Sequence, residues 1–223
     1  VETAQKKVEG RNFSIRKNVL KFDDVMNAQR EIIYKQRRQV LDGENINESI
    51  LNMINSLAEE VILTFYGAEE EINVQALSTE IRNIFGIEMY DWLKENHKNS
   101  NEVVAKTQEL ALSKYEEKEK EVGSEQLREL ERVVMLKVVD QKWMDHIDAM
   151  DDLKDGIGLR AYGQQDPVVK YRLEGMDMFD EMVFSIKHDV VKILMNLRKQ
   201  EEVKRQEAAK ITGAALQTLQ GLD

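Results

Sequence analysis

Residues 156–167 read GIGLRAYGQQDP, and the way this stretch is read decides the fold. Three of the chain's eleven glycines and its only proline fall here, around one aromatic, Tyr162. Gly158 and Gly163 have the spacing of a phosphate-binding loop. Such a loop leaves a strand, and its second glycine is followed by Lys and then Ser or Thr, which hold phosphate and magnesium. Gln164 and Gln165 stand at those positions, and the upstream apolar residues recur at helical spacing. The phosphate reading fails. Asp166–Pro167 is instead a helix start: the carboxylate accepts from free N–H groups, and proline at the first position gives up no bond. The stretch is a break between two helices.

Upstream, Ser124 is placed to cap a helix whose apolar residues are Leu127, Leu130, Val134, Val138, Trp143, Ile147, Met150, Leu153 and Ile157. Downstream, a second helix from Pro167 carries Val169, Leu173, Met176, Phe179, Val183, Ile186, Val190, Leu194 and Leu197. Two long amphipathic helices joined by residues 158–166 are predicted to fold back antiparallel. Trp143, Met150, Met176 and Met182 read as core, while Met144 and Met178 are left open. The stripe ends near Gln200, and residues 201–223 are expected to fray after Lys210.

Further upstream, residues 1–43 read as one long helix. Ile15, Val19, Phe22, Met26, Ile33 and Val40 form a heptad-like seam with polar breaks at Gln29 and Gln36. Asn12 or Ser14 can cap its start, and Gly43 its end. Some 30 residues make a rod of roughly 45 Å, which cannot bury its own stripe. Residues 44–123 read as shorter helices at 46–66, 74–85, 87–93 and from Asn99, Ser100 or Asn101 to Val122, stopped by Gly67, Gly86 and Gly123. The fold class is all-α, in agreement with a composition rich in good helix formers.

Net charge is −10, unevenly spread. Residues 1–41 carry +5, residues 42–123 carry −11 and residues 124–223 carry −4. An acidic chain is a poor ligand for nucleic acid, whose binding rests on phosphate neutralisation. The basic first unit is the only candidate, and an internal partner, such as the acidic middle unit, is the preferred account of it. The chain has no cysteine, so disulfides and thiolate metal sites are excluded. It holds no apolar run of the ~18 residues needed to span a bilayer, and its first residues lack the core of a signal peptide. It starts without Met, as a processed product or an excised fragment would. The three histidines, His97, His146 and His188, lack both di-iron and zincin spacing. Asp23 and Asp24 point about 100° apart on a helix and do not converge. Catalytic residues and metal ligands are not expected.

Residues 143–179, WMDHIDAMDDLKDGIGLRAYGQQDPVVKYRLEGMDMF, and residues 4–37, AQKKVEGRNFSIRKNVLKFDDVMNAQREIIYKQR, resemble the SecA family of protein-secretion motors. The resemblance covers essentially the whole chain. It implies a scaffold helix (1–43), a helical wing (44–123), a two-helix finger (124–200) with its tip at 158–166, and a tail (201–223). It implies that Tyr162, flanked by Leu159 and Arg160, contacts the translocating chain at the channel mouth. Gly156, Gly158 and Gly163 would be the tip's hinges, and Asp166 and Pro167 its cap. A rigid aromatic with a polar end grips many sequences at low entropy cost, whereas without the resemblance Tyr162 could equally pack on its own loop.

The partners implied are the SecYEG channel, an unfolded preprotein, the remaining SecA domains and anionic membrane lipids, with a homodimer allowed. The implied location is the bacterial cytoplasm and the cytoplasmic face of the plasma membrane. ATP and magnesium would bind elsewhere in the full-length ATPase and no cofactor in this chain, which alone is not expected to be an enzyme. The alternatives are a free-standing helical adaptor that self-associates through the seam of residues 15–40 and, more weakly, a helical enzyme.

Overall fold

Good helix formers, one proline and glycines confined mostly to segment ends leave the backbone little choice but helix. A computed structural model describes residues 2–43, 46–68, 72–160 and 166–197. Among them are α1 (Glu2–Asp42), α2 (Ile46–Ala68), α3 (Val74–Phe85), α4 (Tyr90–Asn96), α5 (Ser100–Val122), α6 (Ser124–Arg160) and α7 (Pro167–Asn196), and no strand.

Local signals explain most boundaries. Gly86 ends α3 in the left-handed region, at φ +65°, and its N–H donates to the Arg82 carbonyl at 2.8 Å. Asn99 caps α5 by accepting from the Asn101 N–H at 3.1 Å. Several predicted ends differ, and the helix expected at 87–93 lies instead over Tyr90–Asn96. α1 does not wait for Asn12 or Ser14 but begins at Glu2, since Ala, Gln, Lys and Glu favour helix there and Gln5 bonds Glu9 one turn on at 3.3 Å. Gly67 lies inside the last turn of α2, which ends at Ala68. Ser124 is the first residue of α6 and not its cap, because the Gly123 carbonyl already accepts from Leu127 N–H at 2.9 Å.

α6 and α7 form the most extensive pairing and run antiparallel. Lys142 of α6 bonds Asp189 of α7 at 2.8 Å, and further along Met150 packs on Gly175. α1 lies along this pair, antiparallel to α6: Asp23 reaches Lys154 at 3.5 Å, and Arg37 reaches Asp140 at 3.0 Å. The seam from Phe22 through Met26 and Ile33 to Val40 is therefore packed against the chain's own helices. The basic helix packs mainly on α6 and α7, and meets the acidic helices at its end, where Gln39 and Val40 share a cleft with Ile46, Ser49 and Met53 of α2.

Helices α2–α5 surround the other end of the bundle, α2 on α5 and α3 on α7. One core runs through all of these helices, with Ile33, Ile54, Phe85, Leu93, Val103 and Val190 among its members. Two polar junctions tie α5 into it. Glu131, fully buried on α6, accepts from the Tyr115 hydroxyl and from Arg128 at 2.9 Å, and Arg128 also holds Glu119 at 2.7 Å. Lys118 donates to the last carbonyls of α7, those of Leu194, Met195 and Leu197, at 2.8–2.9 Å.

The apolar stripe of α7 is partly misplaced by sequence. Val169, Leu173 and Met176 are exposed, Met176 by 60%. Tyr171, Gly175 and Met182 take the inner face, because glycine lets α7 approach Met150 closely. Leu130 and Val19 are also exposed. Val169 and Met176 instead line an open groove against Val25 and Ile32 of α1. Met144 is exposed, Met178 half-buried, and Trp143, Met150 and Met182 are core.

Candidate functional site

Helix continues through Gly156 and Gly158 as far as Arg160, further than the predicted break. Each interior glycine costs about 1 kcal/mol, which the buried Ile157 and the good helix formers Leu159 and Arg160 can offset. Leu159 and Arg160 thus occupy the last helical turn. Tyr162 and Gly163 lie outside the described residues. On the return side, Asp166 accepts from the Val168 N–H at 2.9 Å and Pro167 is the first helical residue. The end of α6 and the start of α7 thus face each other across residues 161–165, which lie outside the described residues.

A small second core stiffens the base of this turn. Met150, Leu153, Ile157 and Tyr171 are buried, with Phe22, Val25, Met26 and Met178 packed against them. Phe22 of α1 meets Tyr171 edge-on, with ring centroids 4.8 Å apart. Burial, helped by the carboxylates of Asp151 and Asp23, pushes the Tyr171 hydroxyl up to about 12. The hydroxyl therefore keeps its proton at neutral pH, and the ring packs the second core. Asp23 supplies the partner for Lys154, while Asp24 faces the groove.

One level deeper, three helices meet at polar groups. The Gln29 amide of α1 donates to the Gly175 carbonyl of α7 at 2.8 Å. Its oxygen lies 2.9 Å from His146 Nε2 of α6. An amide oxygen can only accept, so His146 donates from Nε2. The imidazole lies between Trp143 and Phe179, at 5.6 and 5.7 Å. Burial lowers its pKa.

The sequence contained signals for this junction. Gln29 interrupts an apolar seam, and His146 falls in the spacing 143, 146, 150, 153, 157, a better inner stripe than one through Ile147. Among the described residues no group of His, Asp and Glu is arranged to hold a metal ion, and no helix is long and apolar enough to cross a membrane.

The family model of the SecA wing and scaffold domain matches residues 1–198. The protein translocase subunit SecA of Alkaliphilus oremlandii (strain OhILAs) is 47% identical over 214 residues, which covers 94% of this chain and 24% of that protein. Protein translocase subunit SecA 1 of Clostridioides difficile (strain 630) is 48% identical, with 92% of this chain and 23% of that protein covered. The SecA of Clostridium perfringens (strain SM101 / Type A) is 49% identical, with 96% and 26% covered. The chain spans about a quarter of the length of these relatives. A match this long, carried by helices that share one core, makes the chain a member of the SecA family, bearing its wing and scaffold domain.

Proposed function

We propose that this chain is the mechanical part of an ATP-driven preprotein translocase: α1 is the scaffold, α2–α5 the wing and α6–α7 a two-helix finger. The finger carries its tip, residues 158–166, to the SecYEG channel, where Tyr162, flanked by Leu159 and Arg160, bears on the preprotein. Gly163 gives the tip its freedom beyond the end of α6, which carries Gly156 and Gly158 within its last turns, and Asp166 and Pro167 restart the return helix. ATP and magnesium are bound by the remaining domains of the full-length motor, which works at the cytoplasmic face of the membrane beside anionic lipids. Nucleic acid is no partner.

The observation that carries this reading is the brace. An antiparallel helix pair backed by a third long helix transmits displacement to its end without bending. A tip that drives any sequence needs such a backing and an aromatic that grips without specific hydrogen bonds. The test is Tyr162→Ala in the full-length motor. Preprotein transport is expected to collapse while ATP hydrolysis persists, and a photo-crosslinker at position 162 is expected to label a stalled preprotein. Normal transport by Tyr162→Ala would remove the tip's role.

A further inference from the structure

The buried part of the interface of α1 with α6 and α7 is apolar except at one level, and the partly exposed ion pairs Asp23–Lys154 and Arg37–Asp140 flank it. Among the described residues, its buried polar side chains are Gln29 and His146, 7% and 4% exposed. Each meets the other's need, and Gly175 supplies the remaining acceptor. Apolar packing distinguishes axial registers weakly here. Met26 stands about one turn before Gln29 and Ile33 about one turn after, so a slide of one turn replaces one apolar contact with another. The polar level discriminates strongly. A slide of one turn, about 5.4 Å, breaks both bonds and leaves an amide and an imidazole N–H buried without partners. Each such group shifts the folding equilibrium by on the order of tenfold or more.

We propose that Gln29, acting with His146, is a positioning residue that pins the axial register of the α6–α7 hairpin against α1, so that the hairpin moves with α1 as one body and does not slide along it. Single buried polar positions fix register in other helical assemblies at some expense of stability. For a working motor, the tip then advances only as far as α1 advances. That consequence rests on the translocase reading. The pin itself does not, and its test involves no transport.

The chain has no cysteine of its own, so spin labels can be placed uniquely at Lys17→Cys on α1 and Asp148→Cys on α6. The two positions are staggered along the bundle axis, and a slide changes their separation. With the pin intact a single narrow distance is expected. Gln29→Met alone should weaken folding about tenfold or more, because it strands the His146 N–H. Adding His146→Leu should restore the unfolding midpoint while the distance broadens or gains a second value, a register shift of about 5 Å. An unchanged narrow distance in the folded double variant would overturn the proposal, leaving register to apolar packing and to the flanking ion pairs Asp23–Lys154 and Arg37–Asp140. If the double variant does not fold, the unsubstituted chain decides. Nitrogen-15 spectra must show a neutral His146 protonated at Nε2, with that proton protected from solvent exchange. A proton on Nδ1, or fast exchange, overturns the pin.

Discussion

Gln29 donates to the backbone carbonyl of Gly175 across 146 residues of sequence, at 2.8 Å. The bond joins the long helix to the returning arm of the hairpin where that arm comes closest to Met150. A Cβ on Gly175 would lie 2.6 Å from Met150 Cε and 3.1 Å from its Sδ. Gly175→Ala therefore gains about 1 kcal/mol of helix propensity and loses a comparable amount by displacing the end of a flexible methionine. It is expected to be within about 1 kcal/mol of neutral. Gly175→Val, which must push α6 and α7 apart, should cost about 1–3 kcal/mol. Urea unfolding midpoints separate the two. A large loss with Ala would mean that Met150 cannot yield.

His146 gives stability a pH dependence of known sign. Burial lowers its folded pKa from the ordinary 6.5. Below that ordinary value the unfolded chain binds more protons than the folded one, so stability is full above about pH 7 and falls as pH drops toward the folded value. His146→Gln keeps an N–H for the Gln29 oxygen and removes the titration. The decline between pH 7 and pH 5.5 should be flatter in the variant, as read by thermal or urea midpoints. Identical slopes would place the histidine outside the titrating set.

Glu131 acts in the opposite direction. Burial, the largest influence on it, raises its pKa from 4.5, against the Tyr115 hydrogen bond and the Arg128 charge, which lower it. The folded chain then holds the proton longer, so stability falls as pH rises from about 4.5 through the folded value. Glu131→Gln should abolish that fall, and comparison with His146→Gln separates the two slopes. Tyr115→Phe removes the hydroxyl that donates to this buried carboxylate. It should cost about 1–3 kcal/mol, measured at pH 7, where the carboxylate most needs the bond.

Much of the fold was legible because it rests on local chemistry. The glycine stops at 43, 86 and 123 and the Asp166–Pro167 start need only the backbone preferences of those residues. The antiparallel return of α6 and α7 follows from the short connection. The face of α7 was not legible in its first half. There two stripes compete, through Val169, Leu173 and Met176 or through Tyr171, Gly175 and Met178, and hydrophobicity favours the wrong one. Glycine wins because close approach of α6, a tertiary fact, has no local signature. The same holds for Gln29 and His146: each looks like a flaw in its own helix, and only the neighbouring helix shows them to be partners. Tyr162 was legible only through resemblance.

Lys118 joins α5 to the end of α7, and its removal should be felt locally. Its ammonium donates to the Leu194, Met195 and Leu197 carbonyls at 2.8–2.9 Å, at the negative end of the α7 dipole. Burial, with Lys114 nearby, pulls its pKa down to about 8. The depressed value means the unfolded lysine holds its proton more tightly, so at neutral pH the cost of burying the charge offsets part of what the three bonds contribute. Asn196 reinforces the junction by donating to the Asn83 and Ile84 carbonyls at the end of α3, at 3.2 and 3.0 Å. Lys118→Met keeps the apolar stem and removes the donors, leaving the buried carbonyls of α7 without a cap. Hydrogen exchange should accelerate by about 10- to 100-fold in the last turn of α7, from a loss of about 1–3 kcal/mol. The turn around Tyr171, at the opposite end of the same helix, should keep its protection. Uniform loss along α7 would show that α5 stabilises the whole hairpin and not its end. Unchanged exchange at residues 192–196 would show that the lysine contributes no net stability there.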